Sequence, residues 1–116
     1  MDIIDFMKVD FYKTTSGRSP IEDFIKGLSA ADQARFADVY YGIKEHGLEC
    51  PRVIFKPISG KLWEIKFSSE GGKYRILYVV VVGDRMIWLH AFKKKTQKTP
   101  QNDLETAEKR LREVIR

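Results

Sequence analysis

Apolar positions in this chain follow two different periods. Phe36, Val39, Tyr40 and Ile43 recur at the spacing of one helical stripe, and Leu104, Ala107, Leu111 and Ile115 do so again near the end. Between them the pattern turns to short runs rich in β-branched and aromatic residues, which predict strands over Lys61 to Phe67, Tyr74 to Val82 and Arg85 to Lys93. Val9 to Lys13 predicts a further short strand.

Punctuation sharpens these boundaries. In Ser19-Pro20-Ile21-Glu22 the serine can cap, proline suits the first helical position, and Glu22 completes a capping box. Gly27 weakens the end of that helix. Ser29-Ala30-Ala31-Asp32 opens a second helix by the same logic, and Gly47 followed by Pro51 stops it. Pro57 and Gly60 bound the sheet on its entry side, and Thr99-Pro100 is expected to cap a last helix. The expectation is an α+β fold in the order β-α-α-β-β-β-α, one domain over 1–116.

Register follows from the turns. If Gly83-Asp84 is a two-residue loop, Val82 opposes Arg85, Leu77 opposes His90 and Arg75 opposes Phe92. If the earlier turn, Ser68 to Gly72, centres on Glu70, Ile65 opposes Arg75 and Trp63 opposes Leu77. One face then carries Trp63, Ile65, Phe67, Arg75, Leu77, Trp88, His90, Phe92 and Lys94. The other carries Leu62, Tyr74, Ile76, Tyr78, Ile87, Leu89 and Lys93. Arg75, His90 and Lys94 thus share one side of the sheet, and a one-residue slip in either hairpin undoes the grouping.

Charge placement adds a partner class. Net charge is +5 overall, but −3 over residues 1–50 and +8 over 51–116. A basic half on a small domain points to an anionic partner, most simply nucleic acid. No run approaches the roughly 20 apolar residues of a membrane span, so no membrane is expected. Met1-Asp-Ile-Ile-Asp lacks the basic start and apolar stretch of a signal peptide, and the single Cys50 fits a reducing, cytoplasmic compartment. There is no Cys pair or HExxH, so no metal or other cofactor is expected.

Arg75 lies in an apolar strand, where a charge needs an ion-pair partner such as Glu64 or an anionic ligand in a cleft. His90 is either a hydrogen-bonded core residue or an acid–base group. His46, at the end of the second helix, reads as structural. Lys93, Lys94, Lys95 and Lys98 form either a solvated run or a set of phosphate contacts. Lys61 and Lys66 frame the first hairpin as further candidates. Trp63, Trp88 and Phe92 can stack on bases but read first as core.

Gly60-Lys-Leu-Trp-Glu-Ile-Lys66, Lys73-Tyr-Arg-Ile-Leu-Tyr78 and Trp88-Leu-His-Ala-Phe-Lys-Lys-Lys-Thr-Gln-Lys-Thr-Pro100 resemble the HigB toxins of the phage Gp49-like group, within the RelE/ParE superfamily of toxin–antitoxin systems. The resemblance spans roughly residues 9–115. It implies a RelE-like fold with a twisted antiparallel sheet, flanking helices and a basic concave surface. It also implies a metal-independent endoribonuclease that cuts messenger RNA on the ribosome, the ribose 2′-OH attacking the adjacent phosphate. Arg75 and the cluster of Lys93, Lys94 and Lys95 map to functional positions. The C-terminal tyrosine of some members has no counterpart, since no Tyr follows Tyr78. The implied partners are messenger RNA, the ribosome and a helix-turn-helix antitoxin of the HigA type. ParE relatives, which poison DNA gyrase by binding, and a non-toxic binding module are the alternatives.

Overall fold

The computed structural model describes residues 6–115; Met1 to Asp5, on which the leader reading rests, lie outside them. Strand β1 (Lys8–Phe11) leads to helices α1 (Pro20–Lys26) and α2 (Ala30–His46). Strands β2 (Ile54–Ser59), β3 (Leu62–Ser69), β4 (Gly72–Val81) and β5 (Arg85–Lys93) follow, then helix α3 (Gln101–Val114). The class is α+β, with one five-stranded mixed sheet in the order β1-β5-β4-β3-β2.

The serine caps and the glycine stop form as expected: Ser19 and Ser29 accept from the Glu22 and Asp32 amides through their hydroxyls, and Gly47 closes α2 at φ +62°, whereas the Asp32 carboxylate turns to Ser69, Gly71 and Tyr74 instead of completing a capping box. At α3 the expectation fails: the cap position is Pro100, and the Thr99 hydroxyl donates instead to Glu64 Oε2 at 2.9 Å. Val114, not the exposed Ile115, completes the apolar stripe of that helix.

Sheet pairing departs from expectation in three ways. Residues 54–59 form an additional strand, tolerating Pro57 because β2 is an edge and bulges there. The sheet is not wholly antiparallel, because β1 runs parallel to β5 at the opposite edge. And β3 is shifted by one residue against the expected register: Ile65 opposes Ile76, closing the hairpin with a tight Glu70-Gly71 turn. That single step moves Trp63, Ile65 and Phe67 to the other face.

Between β4 and β5 two deviations cancel. The loop has three residues, so Val81 rather than Val82 opposes Arg85, and Leu89 is an extra residue in a bulge. Beyond the bulge the expected pairs Leu77–His90 and Arg75–Phe92 hold; before it, Trp88 changes face.

Helices α1 and α2 cover one face through Ile21, Phe36, Val39 and Ile43 over Ile65, Phe67, Tyr74, Ile76, Tyr78 and Trp88. Helix α3 covers the other through Ala107, Leu104 and Leu111 over Leu62, Leu77, Val79, Leu89 and Phe92. Sandwiched between, β4 is buried on both sides from Tyr74 to Val79, which explains the apolar run from Ile76 to Val79 next to the paired Arg75. Trp88 and Phe92 are core residues, whereas Trp63 is partly exposed. Among the described residues no helix is long and apolar enough to cross a membrane.

Candidate nucleic-acid interface

At the end of the sheet where the β3–β4 turn lies, a groove of about 760 Å³ opens. Lys66, Phe67 and Ser68 come from β3, and Lys73, Tyr74 and Arg75 from β4. Arg35 comes from α2, Arg52 and Val53 from the segment entering β2, Ile54 from the start of β2, and Lys94 from just beyond β5. Six of these eleven lining residues are Lys or Arg and none is acidic. Gathering so much positive charge raises the cost of each further proton. The Lys94 ammonium is accordingly held below its ordinary range, first by desolvation and then by Lys73, Arg75 and Lys66.

Arg75, Lys66 and Glu64 project from the same face, toward α3, because Lys66 opposes Arg75 and Glu64 opposes Leu77. Arg75 is almost wholly buried, its side chain 3% exposed, with Glu64 Oε2 3.7 Å from Nη1. Nη2 donates to the Gln97 carbonyl at 2.9 Å and to that of Thr96 at 3.5 Å, while Nη1 reaches the Thr99 hydroxyl at 3.5 Å. Arg75 therefore fastens the loop between β5 and α3 to the sheet. Its Nε is buried without a hydrogen-bond partner.

Lys94 continues the ladder, its amide donating to the Lys73 carbonyl at 2.8 Å, and its ammonium reaches Gln97 Oε1 at 3.4 Å. It shares Arg75's face, as expected. His90 shares the face but not the groove. Its Nε2 lies 2.6 Å from Asp103 Oδ1, and Nδ1 lies 3.4 Å from Arg110 Nη1, which also donates to the Leu89 carbonyl. Arginine only donates, so Nδ1 accepts and this partner chemistry assigns the ring proton to Nε2, facing Asp103. His90 thus ties β5 to α3 with both nitrogens engaged.

The remaining candidates divide. Lys66 lines the groove. Lys93, expected on the face opposite Arg75, is there: its stem lies over Gly72 and its charge acts on Asp32. Lys95 and Lys98 are exposed on the fastened loop outside the lining. Lys61 lines a separate apolar hollow with Leu48, Trp63, Val80 and Val82. Reading the sequence did not find Arg35, Arg52 or Lys73. Arg35 flanks the buried stripe of α2 in the acidic half, where no local pattern distinguishes it.

The groove's turn is held by a second buried charge. Asp32, 3% exposed at the start of α2, accepts from Ser69 Oγ and Tyr74 OH, each at 2.5 Å, and from the Gly71 amide at 2.9 Å. Those three donors hold its carboxyl below the usual range. Only glycine fits at position 71, where a Cβ would lie 2.0 Å from the carboxylate. Among the described residues no group of three His, Cys, Asp or Glu side chains gathers to hold a metal ion.

No curated protein matches the chain. A family model described as phage-derived protein Gp49-like (DUF891) matches residues 23–112, from within α1 to near the end of α3, and takes in every residue of the groove. With most of its length so matched, the chain belongs to the phage-derived Gp49-like family, a toxin-like family.

Proposed function

We propose that this protein is a HigB-type toxin of the RelE superfamily, a metal-independent endoribonuclease that grips messenger RNA on the ribosome in the basic groove and cuts it in the cytoplasm. The observation that carries the reading is the convergence of Arg35, Arg52, Lys66, Lys73, Arg75 and Lys94 on one groove without an acidic residue in its lining. Such a surface attracts a phosphate chain and repels nothing along it. The apolar Val53 and Ile54 in the same wall offer contact to bases.

In this reading Lys94 is the catalytic residue. Desolvation first, and then the neighbouring charges of Lys73, Arg75 and Lys66, lower its proton affinity, and its neutral amine takes the 2′-OH proton. The 2′ oxygen attacks the adjacent phosphorus and the bond to the 5′ oxygen breaks, leaving a 2′,3′-cyclic phosphate. The departing oxygen takes a proton from a neighbouring ammonium of the groove. Lys66, Lys73 and the charge of Arg75 stabilise the phosphorane-like transition state. Lys95 and Lys98, on the loop that Arg75 fastens, extend the contact to flanking phosphates. His90 is assigned to holding α3. A HigA-like helix-turn-helix antitoxin neutralises the toxin.

In vitro translation followed by primer extension tests the reading. Cuts within ribosome-bound messenger that vanish in Lys94→Ala are expected. Intact messenger with trapped gyrase–DNA complexes would replace this reading with ParE-type action, and neither outcome would leave a non-toxic binding module.

A further inference from the structure

Arg52 stands out by its backbone. Among the described residues it is the one non-glycine with positive φ, +60°. An L-residue there crowds its own Cβ, and glycine or asparagine is the usual occupant. Such a conformation costs free energy and persists only where the surrounding structure holds it.

Arg35 holds this segment in place. From α2 it donates Nη2 to the Arg52 carbonyl at 3.1 Å and Nε to the Ser68 carbonyl at 3.0 Å, with its guanidinium 5.4 Å from the centre of the Phe67 ring. One side chain thus joins helix α2, the end of β3 and the segment entering β2. Because its partners are carbonyls and a ring face, Arg35 neutralises no carboxylate and its charge remains in the groove. Arg52 is exposed, lines the same groove, and makes no ion pair among the described residues.

We propose that Arg52 is a substrate-binding residue at the α2 side of the groove, gripping an RNA phosphate, and that Arg35 is its positioning residue. The proposal rests on the groove being the RNA site. It extends that site from the sheet, which supplies Lys66, Lys73 and Lys94, to the far wall, so that the strand is held from both sides.

The test separates strain from binding. In Arg52→Gly the backbone relaxes and the guanidinium is lost. Thermal melting should show an unchanged or higher Tm. Fluorescence anisotropy with a short fluorescein-labelled single-stranded RNA should show severalfold weaker binding, and a log affinity against log salt plot shallower by about one unit. Lys109→Gln removes the same charge from the exposed surface of α3, outside the groove, and should leave the slope unchanged. Arg35→Met should weaken binding as well, with Arg35→Lys failing to restore it because a single ammonium lacks the planar fork whose separate Nε and Nη2 donors reach the Ser68 and Arg52 carbonyls at once. Wild-type affinity and slope in Arg52→Gly would overturn the proposal while leaving the RNA-binding groove intact. Absence of RNA binding by the wild-type chain would overturn both.

Discussion

Tyr74 and Arg75 are neighbours on β4 that point to opposite faces, and each ends in a buried charged knot. Toward α2, the Tyr74 hydroxyl donates to Asp32, which also takes Ser69 and Gly71. Toward α3, Arg75 is set against Glu64, Thr99 and two loop carbonyls. The first knot is short and complete. The second is looser, with contacts of 3.5 and 3.7 Å and an orphan Nε, and it borders the groove. The carboxylate is satisfied by three neutral donors and holds the turn. The guanidinium is only part-satisfied, and the residual positive field is what an anionic ligand would meet.

Breaking the Arg75 knot should have the largest effect. Arg75→Ala leaves Glu64 buried without a counter-charge, and denaturant unfolding should show a loss of about 3–5 kcal/mol together with loss of growth arrest. The double variant Arg75→Met with Glu64→Leu removes both charges and should recover most of that stability but not the arrest. If arrest returns as well, the field of Arg75 has no part in function.

Next comes Lys94→Arg, which keeps the charge but removes the titrating amine. RNA affinity should persist while cleavage falls to background. In the wild type, single-turnover cleavage should rise with pH and level off below the ordinary lysine value of 10.5, as the lowered proton affinity of Lys94 requires.

Asp32→Asn should act on the other knot alone. A carboxyl whose pKa is depressed by folding stabilises the native state above its unfolded value near 3.8, and that contribution disappears as pH falls through the folded value. The variant should melt several degrees lower at neutral pH and lose much of the acid limb of the Tm profile, with RNA affinity little changed. A large affinity loss at unchanged Tm would show that the two knots are not separable.

His90→Gln should be the mildest. It loosens the tie between β5 and α3 by about 1 kcal/mol, visible as faster amide exchange in α3, and cleavage should stay near wild type. Loss of cleavage without loss of stability would return His90 to the chemistry.

Much of the frame was legible along the chain. Ser19, Ser29 and Gly47 act within a few residues of themselves, so their caps are local facts. The strand Tyr74 to Val82 was legible from its β-branched and aromatic residues. The expected grouping of Arg75 and Lys94 survived because the longer loop and the Leu89 bulge cancel; β3 had no such compensation, and its aromatics changed face. The parallel pairing of β1 with β5 joins residues 77 positions apart (Lys8 with Arg85), and nothing local in Lys8–Phe11 specifies a direction.

By itself, then, the sequence determined the ends of the first two helices, the strand-rich middle and the concentration of positive charge after residue 50. The tertiary structure alone decided which of those charges meet. Arg35 from the acidic half crosses to Phe67 and Ser68, Lys93 turns away, and Arg75 sinks into an ion pair. The physical reason is range: caps and periodicity are settled by neighbours, whereas a groove is settled by contacts that only chain closure brings within a few ångströms.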